Sequence, residues 1–360
     1  MEKILVLFGG VSSEHEVSLV SAASVIKNLP GDRFTVIPVG ITADGRWYLY
    51  KGGPDQLPGG RWLEDPTLLA PAQISLDRGR KGLLVFGGGR WALEEIDAVF
   101  PVLHGANGED GTMQGLLEIS GLPYVGCGTL ASAMCMDKEI TNTIADSAGV
   151  KQAKWLSVRQ AEYLADPEKT VREAGETLGY PIFVKPANTG SSVGITKAAG
   201  TAQLGEGIEN AFRYDAKVVL EAAVCGAEIE CAVMGNGELS VSQPGEIVPC
   251  NEFYDYDAKY VSSASRLHIP ARIEAEAARQ VRETAGLIYR ALCCSGMARV
   301  DFFVDTASGD VYFNEINTIP GFTPISMFPK MFEAAGLPYP RLLSALIDLA
   351  LEKKRKTSHD

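Results

Sequence analysis

The apolar positions change period several times along the chain, and each change marks an element. Residues 4–8 (ILVLF) form an unbroken apolar run closed by Gly9-Gly10, the pattern of a parallel strand buried on both faces. Ser12-Ser13-Glu14 then offers a serine cap and an acidic first turn. Val17, Val20, Ala23, Val25 and Ile26 follow at helical spacing. A second strand over residues 34–39 completes a βαβ opening. Residues 41–93 are rich in Gly, Trp and turn residues, with short strand patterns at 47–50 and 83–86, and read as an insertion or hairpin excursion. Residues 98–103 resume the buried-strand pattern and run into HGANGEDG (residues 104–111), ahead of a helix over 113–120. A strand end followed by a glycine-rich polar loop and a helix is where open α/β sheets bind ligands. This places His104 at a site.

Further on, a helix begins at Met136-Asp137-Lys138 and runs towards Ala148. Residues 180–186 (YPIFVKP) read as a strand with Lys185 at its end, followed by the loop ANTGSSVG. Glycine and serine in such a loop suit an anion, because backbone N–H groups can approach and hydroxyls add donors. An ordinary hairpin turn fits the same residues. VVLEAAV (218–224) is a strand carrying Glu221, and Glu228 follows a glycine turn. Residues 251–272 are aromatic, charged and serine-rich without a clean period, as in a binding loop or lid. Helices are expected over 273–292 and 337–354. The basic tail suits a helix C-terminus.

The stretch that ties these together is residues 297–321, two β-rich runs around a polar break, which predict a hairpin. A turn centred near Ser308 sets Arg299 opposite Asn317 and Asp301 opposite Glu315. Side chains two apart share a face, so these four converge. Val300, Phe302, Val304, Tyr312 and Ile316 would then form the buried face. Two readings stay open for the polar patch. It is a surface laced with cross-strand ion pairs, or it is a set of hard oxygen donors for Mg²⁺ and the phosphates that accompany it.

Composition narrows the classes. At 360 residues, two or three domains are expected. Hydrophobic content of 46% and charged content of 22% are those of a soluble globular protein. A net charge of −12 argues against nucleic acid as a partner. The seven cysteines contain no Cys-x-x-Cys pair, the usage of a reducing compartment. No segment approaches membrane-spanning length, and the N-terminus reads as a strand rather than a signal peptide. A cytoplasmic protein with no membrane partner is expected. GGVSSEHE is not the G-x-G-x-x-G dinucleotide fingerprint.

Five motifs in order resemble those of the D-alanine–D-alanine ligases: GGVSSEHEVS (9–18), HGANGEDG (104–111), VKPANTGSSVGI (184–195), FYDYDAKY (253–260), and RVD with NEINTIPGFT (299–323). The resemblance spans nearly the whole chain. It implies an α/β (α+β), three-domain ATP-grasp fold with an N-terminal Rossmann-like parallel-sheet domain. The units would be an α/β substrate domain over 1–136, a central ATP-grasp domain over 137–220 and a C-terminal ATP-grasp domain over 221–360. It further implies joining of two D-alanines at the expense of ATP, through a D-alanyl phosphate, for peptidoglycan precursors. Asp301, Glu315 and Asn317 would hold two Mg²⁺ ions, with Mn²⁺ as a substitute. Lys138, Lys185, the Ser191-Ser192 loop and Lys259 of a lid would face the phosphates, with Tyr254 beside the nucleotide. Glu221 would meet the adenine amino group and Glu228 the ribose; here Ala222-Ala223 replace the family's usual Lys-Trp after the first glutamate. Glu14 would accept the first D-alanine's ammonium group, with His104 nearby. Arg299 and the Gly321 N–H would stabilise the oxyanion. Ser326 and the Met327 N–H would hold the second carboxylate. Glu14, Ser191 and Tyr260 would link the domains when the lid shuts.

The resemblance admits other acceptors, D-serine or D-lactate. Tyr260 and the apolar Met327 favour D-alanine, since D-serine ligases tend to carry arginine at the second position. A non-catalytic nucleotide binder need not keep the full phosphoryl-transfer set. A homodimer is the family expectation.

Overall fold

The structure, a computed structural model, describes residues 1–248, 266–305 and 307–357. The first unit is built on a seven-stranded sheet of order β6-β5-β4-β3-β2-β1-β7. In chain order its elements are β1 (Glu2–Gly9), α1 (His15–Asn28), β2 (Phe34–Ile41), β3 (Trp47–Tyr50), β4 (Leu69–Ile74), β5 (Leu83–Gly87), β6 (Arg90–Glu94) and β7 (Ala98–Pro101). Pairing is parallel only for β2-β1-β7. The expected excursion instead extends the same sheet antiparallel through β3 to β6, so the sheet is mixed. Connections without a crossover permit this: residues 88–89 join β5 to β6, and residues 51–68, with three 3₁₀ turns, join β3 to β4.

The start of α1 also departs from the simple capping pattern. Glu14 occupies the N-cap without a side-chain cap bond, and the Ser12 hydroxyl accepts the Glu14 N–H at 3.1 Å. That turn leaves the Glu14 carboxylate for other partners. Helices α2 (Thr112–Ser120), α3 (Thr129–Met136) and α4 (Lys138–Ser147) follow, the last capped by Asp137 on the Ile140 N–H at 3.2 Å.

The second unit pairs β8 (Trp155–Arg159), β9 (Ile182–Pro186), β10 (Thr196–Ala198) and β11 (Lys217–Ala222) in the order β10-β9-β11-β8, all antiparallel. Helices α5 (Gln160–Ala165), α6 (Pro167–Leu178) and α7 (Thr201–Ala211) accompany it. Val171, Leu178, Leu204 and Ile208 of α6 and α7 bury against Ile182, Val184, Val218 and Leu220 of the sheet.

The third unit contains β12 (Ala227–Gly235), β13 (Ser240–Val241), β14 (Gly245–Val248), β15 (Arg266–His268), α8 (Ala275–Ala291), β16 (Gly296–Val304) and β17 (Val311–Asn317). Its path is β15-β14-β12-β16-β17, with β13 on β12. α9 (Met327–Ala334) and α10 (Tyr339–Thr357) close the chain.

The β16–β17 hairpin pairs Arg299 with Asn317 and Asp301 with Glu315, the expected register. Between Asp301 and Phe302 a bulge shifts it by one, so Phe302 faces Phe313 and Val304 faces Val311. Phe313 and Val311 therefore enter the core, and Tyr312, expected there, lies outside it with Lys151 over its ring at 4.6 Å.

Candidate active site

The elements bring most of the singled-out residues to two connected clefts. The first lies where α1, the 104–109 loop, the 189–191 loop and the end of β17 meet. Glu14, His104, Ser191, Arg299 and Gly321 line it. The second lies between the four-stranded and six-stranded sheets, lined by Lys185, Ser192, Glu221, Glu228 and Asp301 among others. Asn142, Asn314 and Glu315 border both, so the clefts are continuous.

Glu14 is buried, and the Ser191 hydroxyl donates to its carboxylate across the first and second units. Ser191 and Ser192 both have positive φ, 48° and 60°. Such backbone is sparsely populated for non-glycine residues and persists where surrounding contacts enforce it. Two glycines admit the Glu14 carboxylate by lacking a side chain. A methyl group at Gly105 would fall 2.5 Å from its Oε2, and one at Gly190 2.8 Å from it.

His104 is buried between units. Its Nδ1 lies 3.2 Å from the Ile319 carbonyl and its Nε2 3.1 Å from the Ser21 hydroxyl. A carbonyl only accepts, so Nδ1 carries the proton and Nε2 accepts from Ser21. Burial holds the imidazole below its usual pKa, opposed in part by Glu14 and the Ile319 carbonyl. The neutral ring is the form present. Beside it Glu109 accepts the Gly105 N–H at 2.7 Å. Burial first, then the Glu14 carboxylate, push Glu109 up to about 8.

On the hairpin, Arg299 forks onto Asp301, Nε to Oδ1 at 2.8 Å and a terminal nitrogen to Oδ2 at 2.6 Å. Its Nε is also 3.1 Å from Glu230 Oε2 on the neighbouring strand. Asn317 donates to Asp301 Oδ2 at 3.1 Å. Among the described residues no three His, Cys, Asp or Glu side chains converge as a metal cluster. Asp301, Glu315 and Asn317 nevertheless present two carboxylates and an amide oxygen on adjacent strand positions. Hard oxygen donors of this kind suit Mg²⁺, which retains water and phosphate ligands rather than a full protein cage. The donor set fits the ion.

In the second cleft Lys185 donates to Glu221 at 2.6 Å and to Asn314 at 3.4 Å. Burial pulls its ammonium down, but Glu221, then Glu315 and Glu228, outweigh burial, so the net displacement is upward. Lys185 stays charged. Asn142 donates to Glu221 Oε1 at 3.3 Å. Lys138 reaches the Thr189 carbonyl at 2.7 Å, and its N–H bonds Ala187 at 3.0 Å, which ties the head of α4 to the glycine-serine loop.

Ser326 holds the N-cap position of α9 without a side-chain capping bond; its hydroxyl instead accepts the Thr323 N–H at 3.0 Å. It stands beside Gly321, where an added methyl group would fall 2.7 Å from its hydroxyl. The Met327 side chain turns into the core and does not line the first cleft. Tyr254, Lys259 and Tyr260 lie outside the described residues. Four further side chains join the site. Glu109 sat within the HGANGEDG motif, and Glu230 lies two residues beyond Glu228 on one strand face. Ser21 lies two helical turns beyond Glu14. Asn314 enters through the bulge, for which the sequence carried no signal.

Two antiparallel sheets facing each other across a cleft, beside an N-terminal α/β unit, define the ATP-grasp class of fold. Residues 3–127 match the family model described as D-ala D-ala ligase N-terminus, and residues 144–348 match D-ala D-ala ligase C-terminus. The D-alanine–D-alanine ligase of Caldicellulosiruptor bescii is 50% identical over 98% of this chain and 96% of its own. That of Clostridium novyi is 46% identical, covering 99% of each chain. Among solved structures, the VanG D-Ala:D-Ser ligase from Enterococcus faecalis is 44% identical with a TM-score of 0.88, covering 97% of this chain and 99% of that one. The D-alanine–D-alanine ligase from Coxiella burnetii is 34% identical with a TM-score of 0.86, covering 99% and 96%. The chain belongs to the D-alanine–D-alanine ligase family.

Proposed function

We propose that this protein joins two D-alanines into D-alanyl-D-alanine with hydrolysis of ATP to ADP and phosphate, supplying peptidoglycan precursors. One observation carries the reading: Arg299, Gly321, Glu14 and Ser191 line a cleft continuous with the inter-sheet cleft that holds Lys185, Glu221 and Asp301. This continuity supports a carboxylate-binding side adjoining a phosphate-binding side. In this reading the units are 1–136, 137–220 and 221–360, the second boundary falling inside β11, and the protein works as a cytoplasmic homodimer.

The first D-alanine lies in the first cleft, its ammonium group on Glu14 and its carboxylate towards Arg299 and the Gly321 N–H. A carboxylate is a poor electrophile. One of its oxygens therefore attacks the γ-phosphorus of ATP, ADP leaves, and an acyl phosphate forms. Lys138, Lys185 and the Ser191-Ser192 backbone neutralise the phosphates during transfer. Two Mg²⁺ ions held by Asp301, Glu315 and Asn317 would supply further charge neutralisation. Glu221 and Glu228 take the adenine and ribose ends, with Tyr254 beside them. Lys259 and Tyr260 close on the γ-phosphate and on Ser191, excluding water from the acyl phosphate. The amine of the second D-alanine, held by Ser326 and the Met327 N–H, loses a proton and attacks the carbonyl carbon. Arg299 and Gly321 hold the oxyanion, and phosphate leaves as the amide forms.

A second acceptor, D-serine, has one observation in its favour: the 44% identity to a D-Ala:D-Ser ligase. Relatives named for D-alanine on both sides reach 50%, while the Met327 side chain, expected to favour D-alanine, lies in the core rather than in the cleft. The test is phosphate release from ATP with Mg²⁺ and D-alanine, then with D-serine or D-lactate added. D-alanine-dependent release with dipeptide as the main product is expected. No release would overturn the ligase reading. Preference for D-serine in the mixture at neutral pH would overturn the acceptor.

A further inference from the structure

Residues 319–322 carry the backbone that the ligase reading uses for the oxyanion, and they are gripped from the other unit by a pair of buried groups. The Phe322 N–H donates to the Ser21 hydroxyl oxygen at 3.4 Å. The Ser21 hydroxyl hydrogen goes to His104 Nε2 at 3.1 Å, and His104 Nδ1–H continues to the Ile319 carbonyl at 3.2 Å. Ser21, on α1, is fully buried, as is Phe322, and His104 and Ile319 are nearly so. The two anchors bracket Pro320 and Gly321. Pro320 has its φ restricted by its ring, and the residue before it is confined to extended backbone. With both flanks pinned, little freedom remains at Gly321, which lines the cleft.

We propose that Ser21 is a positioning residue: through His104 and the Phe322 N–H it holds the Gly321 N–H where the oxyanion develops. The proposal rests on the ligase reading for its consequence in rate, but the bracket itself is a property of the fold. Ser21 touches no reacting atom. It acts by joining α1, in the first unit, to the segment after β17, in the third. A hydrogen-bond chain in a dry, low-dielectric interior resists displacement more than its surface equivalent. Misplacing a catalytic group by about 1 Å costs roughly 10²-fold in rate. A modest slackening of this loop is therefore enough to register.

Ser21→Ala removes both hydrogen bonds with little change in volume. Its kcat is expected to fall roughly 10- to 10²-fold, with the KM for ATP unchanged, because neither Ser21 nor residues 319–322 line the nucleotide cleft. Hydrogen exchange read by mass spectrometry should rise in peptides spanning 317–323 and stay unchanged over the seven-stranded sheet. Ser21→Ala and His104→Gln act on one loop, so the double variant should lose far less than the product of the single losses. A kcat within twofold of wild type, multiplicative losses, or faster exchange spread through the sheet without a rise at 317–323 would each overturn the proposal. If the wild type released no phosphate with D-alanine, the ligase reading would fall, and the exchange measurement would still decide whether the bracket exists.

Discussion

Glu315 is the residue whose proposed role makes the sharpest demand on its charge. It faces Asp301 across the hairpin, and together with Asn317 these are the oxygen donors of the hairpin's polar patch. Glu315→Gln keeps the shape and removes a negative charge from a site meant to hold cations. Charge stabilisation by bound metal is worth several kcal/mol of barrier, so turnover should fall by at least about 10²-fold. Folding should be unaffected. Steady-state phosphate release together with a thermal melt checks both, and a variant at wild-type rate would displace the metal assignment from Glu315. The carboxylates differ in kind here. Glu109, buried beside Glu14, keeps its proton up to about 8. Glu221 instead sits 2.6 Å from the Lys185 ammonium.

At the scale of elements, the bulge in the β16–β17 hairpin decides which aromatic ring supports the core. A straight pairing from Arg299–Asn317 onward would have buried Tyr312. The inserted residue rotates the end of β17 by one position and buries Phe313 against Phe302, ring centroids 6.2 Å apart. Phe313→Ala should therefore cost about 3–5 kcal/mol of stability. Tyr312→Ala should cost about 1 kcal/mol or less, since it loses chiefly a surface contact with the Lys151 ammonium. Urea titrations of the two variants settle the order, and the reverse ranking would mean an unbroken register. The same bulge brings Asn314 to Lys185. Nothing in the alternation of residues 311–317 announces a bulge, because its pattern fits either phase once one residue is allowed to slip. By contrast, Arg299, Asp301, Glu315 and Asn317 lie before the slip, and simple alternation was enough to group them.

Across the whole molecule, the first and third units meet at Gly126 and Gly296 with no room between them. A methyl group at Gly296 would fall 2.9 Å from the Gly126 nitrogen and oxygen, and Gly296 has φ +74°. Gly296→Ala must therefore take left-handed backbone strain of about 1–2 kcal/mol and push the units apart as well. Destabilisation of about 2 kcal/mol or more is expected. Gly31→Ala, which meets nothing within 4 Å, should stay within about 1 kcal/mol of the parent. Melting temperatures of the two separate them. The units are tied elsewhere as well: Arg33 bonds Asp348 at 3.0 Å, and the Ser24 hydroxyl donates to the Tyr339 hydroxyl at 3.3 Å. With Ser191 of the second unit bonded to Glu14 of the first, the first cleft draws on all three units.

The sequence by itself determined the local elements and the chemistry they carry. Apolar period marks β1, α1, β16 and β17, because burial of one face is a local demand repeated every two or every three to four residues. The ordered motifs then carried the family, and with it the expected roles of residues from Glu14 to Met327. What only the tertiary structure decided is how distant segments meet. The sheet of the first unit became mixed because the excursion over residues 41–93 found an open strand edge to extend. Glu230 came beside Arg299 by strand pairing, and Ser21 came to Phe322, 301 positions away in sequence, by docking of one unit on another. Such contacts depend on the packing of whole units, and no period within a single segment encodes them.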